Sequence, residues 1–132
     1  MSELRRDPVT GRWVIIYNDE ELSPGDYQVD AHTQHGTQTC PFCPGHEGMT
    51  PPEIDVIRDP KSQKWLVRTF PNKFPAVSSE ASVTREGIGL YDTMNAAGVH
   101  EVIVETPDHA KHFADFSQEE IQKVLFMYRK RT

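Results

Sequence analysis

A chain of 132 residues suffices for one domain, but with 36% apolar residues it has a modest core to bury, so a bound metal would help hold it together. Acidic residues outnumber basic ones 20 to 14; the formal charge of −6 argues against general binding to nucleic acid or anionic membranes, while leaving room for a phosphorylated small molecule held by a few local donors. No apolar run approaches the roughly 20 residues of a bilayer span, and Met1-Ser2-Glu3-Leu4-Arg5-Arg6 lacks a signal-peptide core and cleavage site, so the expected location is the cytoplasm.

In chain order, Pro8-Val9-Thr10-Gly11 is a turn signal, followed by the β-rich run Arg12–Tyr17. Residues 18–39 form a long polar loop without helix or strand periodicity. Cys40-Pro41-Phe42-Cys43-Pro44-Gly45 is a tight knuckle, stiffened by its prolines and relaxed at Gly45. A short strand is predicted at Ile54–Ile57, a turn at Asp59–Ser62, and another strand at Trp65–Phe70, stopped by Pro71-Asn72-Lys73-Phe74-Pro75. Residues 77–98, rich in Ser, Gly and Ala, read as loop; Val99–Glu105 is the clearest strand, ended by Thr106-Pro107-Asp108-His109. Ser117-Gln118-Glu119-Glu120 is a capping box opening a helix whose apolar face would be Ile121, Val124, Leu125 and Tyr128, with Arg129, Lys130 and Arg131 at its C-terminal end. The fold class implied is α+β: a single domain, residues 1–132, with a four-stranded antiparallel sheet, one C-terminal helix and an open sheet edge. That edge suits a homodimer contact or a complementing C-terminal portion.

Cys40 and Cys43 are the only cysteines, two residues apart. In a reducing compartment such a pair is a metal half-site or a redox couple. A redox couple wants its motif to open a helix, which Pro44-Gly45 opposes, so zinc is the expected ligand. The remaining zinc ligands would come from histidine or acid. His32 and His35 lie in the polar loop and read as solvated; His46 is cramped against the knuckle; His100 reads as a satisfied strand residue; His109 and His112 form a His-x-x-His, shorter than the usual zinc-finger spacing. His109, aimed by the rigid Pro-Asp backbone with Asp108 as a supporting acceptor, is the best third ligand, and spacing leaves the fourth open, with His112 or His100 as candidates for a purely structural zinc fold. There is no phosphate-binding glycine loop, since Gly87-Ile88-Gly89 lacks the continuing pattern, and no His-x-His.

Four segments, Glu3–Ile15, Cys40–Gly45, Phe70–Ala76 and Gly98–His109, resemble in order and spacing the N-terminal portion of the galactose-1-phosphate uridylyltransferase family, nucleotidyltransferases and phosphorylases of the histidine-triad superfamily. The resemblance implies a partial histidine-triad-like fold with a zinc knuckle. It also implies transfer of a nucleoside monophosphate, UMP by family habit, between a UDP-sugar and a hexose 1-phosphate through a covalent histidine intermediate, in galactose and nucleotide-sugar metabolism. By motif match Cys40, Cys43 and His109 are zinc ligands. Asn72, Lys73 and Phe74 contact the nucleotide, and Phe42, Met49 and Val102 line the base pocket. The family's later His-Pro-His-Gln, which carries the nucleophile and the fourth ligand, does not occur in these residues, so this chain alone is expected to be inactive. Where the family has Arg-x-x-Arg-Pro, this chain has Glu20-Glu21-Leu22-Ser23-Pro24, which weakens the phosphate grip or shifts it to other residues. The alternative is a non-catalytic zinc-binding module for a nucleotide or a protein partner.

Overall fold

A computed structural model describes residues 2–16, 36 and 40–132. The predicted loop at 18–39, with His32, His35 and the Glu20–Pro24 segment, lies outside the described residues, as does Tyr17. The chain divides into two compact units, Met1–Thr33 with Phe74–His100, and Gln34–Lys73 with Glu101–Thr132.

The first unit is a four-stranded antiparallel sheet built from two hairpins. Strands β1 (Glu3–Arg6) and β2 (Trp13–Ile16) flank the predicted turn. Asp7 organises that turn: its carboxylate accepts from the Val9 amide at 2.8 Å and the Thr10 hydroxyl at 2.9 Å, and Gly11 takes φ +71°. These donors, the Val9 amide foremost, lower the Asp7 pKa. Strands β3 (Arg85–Ile88) and β4 (Tyr91–Asn95) form the second hairpin, and the sheet order is β2-β1-β4-β3. Residues 77–98 are therefore not all loop. Every residue of β3 is exposed, so it lacks the apolar alternation that marks a half-buried strand. The hairpin is fixed by its turn instead: Ile88 pairs with Tyr91 across Gly89-Leu90, with Gly89 at φ +63°.

The second unit is a three-stranded antiparallel sheet, β5 (Asp55–Arg58), β6 (Trp65–Pro71) and β7 (Glu101–Val104), with β6 central, and one helix, α1 (Gln118–Arg131). The predicted single four-stranded sheet is thus corrected to two sheets. The strand near Trp13 belongs to one, and the three later predicted strands form the other.

Val67 on β6 packs with Phe116, Val124 and Met127, and Ile57, Ile103 and Ile121 close around them. Of the predicted face, Ile121 and Val124 pack into this cluster, while Leu125 is 53% and Tyr128 38% exposed and Met127 completes the buried stripe in their place. Tyr128 instead turns its hydroxyl to Glu105, and this bond raises its pKa to about 12.

The predicted capping box is present: Ser117 Oγ accepts from the Glu120 amide at 3.3 Å and Glu120 accepts from the Ser117 amide at 2.7 Å. Lys111 adds two contacts to Glu120, at 2.6 and 2.8 Å, and is the main reason the Glu120 pKa falls to about 2. Glu120 therefore contributes stability that is present above its ordinary pKa of 4.5 and is lost as the pH falls through about 2. Ser117→Ala is expected to cost about 1 kcal/mol in urea unfolding at pH 7; an unchanged midpoint would show that the cap does not hold the helix start. At the other end Lys130 pairs with Asp55 at 2.7 Å and Arg131 donates to Glu101 at 2.8 Å, tying the last turn to the first residues of β5 and β7.

Among the described residues no helix is long and apolar enough to cross a membrane.

Candidate metal centre and adjoining cavity

The knuckle is a pair of consecutive turns. The Cys43 amide donates to the Cys40 carbonyl at 3.4 Å, and the His46 amide donates to the Cys43 carbonyl at 3.1 Å. Gly45 takes φ +92°, which a side chain would resist. His46 turns its Nδ1 onto the Cys40 carbonyl at 2.6 Å; a carbonyl only accepts, so this nitrogen carries the proton. Glu47, at the start of a short 3-10 turn (Glu47–Met49), accepts from the Gly45 amide at 3.0 Å and from the Trp65 indole at 2.7 Å. Its own backbone amide, then Trp65, then Gly45 hold the carboxyl below the usual range. One ionised acid thus fastens the cysteine knuckle to β6.

His109 arrives from the opposite strand end. The Asp108 amide donates to Thr106 Oγ1 at 3.1 Å and the Asp108 carboxylate accepts from the Ala110 amide at 3.1 Å, bracing the backbone on both sides of the histidine. The result brings Cys43 Sγ and His109 Nδ1 to 3.2 Å, and places ligand atoms of Cys40, Cys43 and His109 all within 4.8 Å of one another. Zinc bonds of about 2.3 Å to sulfur and about 2.0 Å to nitrogen at a tetrahedral angle separate the two ligand atoms by roughly 3.5 Å, so the donor set fits a thiolate–imidazole metal site. Burial, with Cys40 beside it, pushes the Cys43 thiol up. A metal cation would reverse that preference by stabilising the thiolate.

This is the one such group among the described residues, and it includes none of the other predicted fourth-ligand candidates. His100, in the first unit, accepts the Ala76 amide on Nδ1 at 3.1 Å. His112 opens the 3-10 turn Phe113–Asp115: its carbonyl accepts the Asp115 amide at 2.9 Å and its own amide donates to the Asp115 carboxylate at 3.3 Å.

A cavity of about 400 Å³ adjoins the trio, lined by Cys40, Phe42, Cys43, Val102, His109 and Phe116 among others. Two of the predicted pocket residues, Phe42 and Val102, therefore meet the metal group here. Phe42 stacks on Phe70 of β6 at 6.2 Å between ring centroids. Met49, at the end of the 3-10 turn, is 57% exposed and does not line this cavity. Asn72 and Lys73 leave the end of β6, and Phe74, 77% exposed, opens the other unit's second stretch. Sequence reasoning missed Glu47, Trp65 and Arg68 as supports of this region. Glu47 follows Gly45 by two residues, close enough to cap it, and Arg68 is a charge at an inward position of an otherwise apolar strand.

The chain is 33% identical over 133 aligned positions to an ADP-glucose phosphorylase of Arabidopsis thaliana, covering 98% of this chain and 38% of that protein. It is 28% identical to a galactose-1-phosphate uridylyltransferase of Thermotoga maritima, covering all of this chain and 36% of that one. The chain thus spans little more than a third of these relatives. Among solved structures, the crystal structure of an Arabidopsis thaliana ADP-glucose phosphorylase with bound ADP-glucose matches with a TM-score of 0.55 at 29% identity, covering 99% of this chain and 37% of that one. The model of the galactose-1-phosphate uridyl transferase N-terminal domain matches residues 1–132, so the chain belongs to that family.

Proposed function

We propose that the chain is the N-terminal, nucleotide-holding part of a nucleotidyltransferase that moves UMP between a UDP-sugar and a hexose 1-phosphate. The family match over residues 1–132 carries this reading. The cavity beside the metal trio supports it with a stacked aromatic ring, Phe42, of the kind a base can lie against. Phe42, Met49 and Val102 would face the base, and Asn72, Lys73 and Phe74 the ribose side. The 33% identity to an ADP-glucose phosphorylase favours a second donor, an adenylyl sugar.

Cys40, Cys43 and His109 would hold zinc. The metal would supply structural cross-linking: two thiolates and an imidazole pinned to one cation bind the knuckle to the turn after β7. The fold would be a partial histidine-triad-like domain, treated as one domain in sequence, and its two free thiols suit the reducing cytoplasm. In the transfer, an imidazole nitrogen would attack the α-phosphorus and release the first sugar 1-phosphate. The second sugar phosphate would then take the nucleotidyl group and free the imidazole. No histidine here stands in a His-x-His arrangement, so that imidazole would come from a complementing C-terminal portion. A homodimer is a further proposed association.

The test uses residues 1–132 with UDP-glucose plus galactose 1-phosphate, and separately with ADP-glucose plus phosphate. Calorimetry should show saturable binding of a nucleotide sugar, and chromatography should show no turnover. Turnover by this chain would refute its dependence on an outside nucleophile, and heat from neither nucleotide sugar would refute the nucleotide site.

A further inference from the structure

Arg68 is the one fully buried charged side chain among the described residues, at 0% exposure in the middle of β6. Strand alternation sets Val67 against the helix and turns Arg68 and Phe70 to the opposite face, where Phe70 meets Phe42. The guanidinium lies 4.9 Å from the Phe70 ring centroid and 5.4 Å from that of Trp65. Its Nη2 donates to Thr50 Oγ1 at 2.8 Å, and the Thr50 hydroxyl donates in turn to the Glu47 carbonyl at 2.9 Å. Glu53 faces Nη1 at 3.6 Å, beyond hydrogen-bond reach, and neither Nε nor Nη1 has an acceptor among the described residues.

Such an arrangement is expensive. A buried cation with unmade hydrogen bonds is commonly less stable than an apolar side chain of similar volume in the same place. Its contacts show what it does instead. From the sheet's central strand it fixes the hydroxyl of Thr50, the residue after Met49, and supports the ring on which Phe42 stacks. The aromatic wall of the cavity, Phe42, thus rests through Phe70 on this guanidinium, which also holds the end of the neighbouring 3-10 turn.

We propose that Arg68 is a positioning residue for nucleotide binding. It does not touch the ligand; through Phe70 and Thr50 it holds the Phe42–Phe70 stack and the turn after the knuckle in the register that lets Phe42 accept the base. This inference rests on the nucleotide-site reading above.

Arg68→Met keeps the volume and removes charge and hydrogen bond. Calorimetric titration with UDP-glucose and ADP-glucose should show the Kd rising about tenfold or more for whichever nucleotide the wild type binds, the size expected for losing a hydrogen bond from a charged donor. Thermal stability should hold or rise. Arg68→Lys, which keeps the cation and loses the fork, should recover part of the affinity. Thr50→Val should weaken binding to a similar degree, and the double variant should be no weaker than either single one, because both break the same link. Thr50→Val and Arg68→Lys carry the test if Arg68→Met does not fold. A merely structural Arg68 would give the opposite: a lower melting temperature with unchanged Kd in the folded protein, or additive losses in the double variant, and either result overturns the inference. Wild-type protein that binds neither nucleotide overturns the nucleotide site itself, and this inference with it.

Discussion

Stripping the proposed zinc from Cys40, Cys43 and His109 with a strong chelator is expected to abolish or sharply lower the thermal transition. Structural zinc contributes on the order of 10–16 kcal/mol of apparent binding energy in small peptides at neutral pH. A domain of this size has a net stability of roughly 5–15 kcal/mol, so losing even part of the metal term is comparable to the whole. The local structure makes the dependence sharper. The knuckle has two weak turns of its own, and Cys43 is buried with a thiol whose pKa is raised, so without a cation the loop encloses neutral thiols and little else. Cys43→Ser should behave like the chelated protein, with hydrogen exchange accelerating first at residues 40–47 and 106–110. Acid should weaken metal retention, because protons compete for both thiolates and the imidazole. The check is calorimetry on protein whose metal content has been measured before and after chelation; an unchanged transition in verified metal-free protein would refute the role.

The second large effect is expected from Met127→Ala. Met127 is 0% exposed at the centre of the cluster that joins α1 to β6. Removing its thioether leaves a cavity between Val67, Phe116 and Val124, and such truncations cost about 2–5 kcal/mol. Leu125→Ala, two positions away but 53% exposed, should change stability by about 0.5 kcal/mol or less. Urea unfolding of the two variants separates them. Similar midpoints would mean that the helix buries the Leu125 side instead.

That contrast shows where sequence reasoning ran short. Helical periodicity located α1 and its cap correctly, because Ser117 and Glu120 interact within the first turn. It placed Ile121 and Val124 on the buried face but set the edge of that face wrongly, because Leu125 and Tyr128 fit a 3.6-residue stripe as well as Met127 does. The choice between them is made by residues distant in sequence, Val67 and Phe116, and by the carboxylate of Glu105 that takes the Tyr128 hydroxyl. The strands near residues 13, 55, 65 and 101 were legible from β-branched and aromatic content. β3 and β4 were not, since a hairpin held by Gly89 and exposed along β3 shows no alternation.

At the metal group, Cys40 and Cys43 were legible as a pair and His109 as the best partner, because rigid proline-containing segments announce themselves. Glu47, Trp65 and Arg68 were silent because each supports the knuckle across 18 or more residues of intervening chain, or through a neighbour's backbone. No local pattern records such a link.

The bond between the Trp65 indole and Glu47 also has a spectroscopic consequence. The protein contains two tryptophans, and the two units hold one each. Trp65 is 5% exposed, with its N–H on an ionised carboxylate that also fastens the knuckle. Trp13 is partly exposed, with the Arg85 guanidinium 5.8 Å from its ring centroid. Ultraviolet emission from the unlabelled protein therefore carries two separable signals: a buried indole wired to the cysteine knuckle, and a wetter one reporting on the four-stranded sheet.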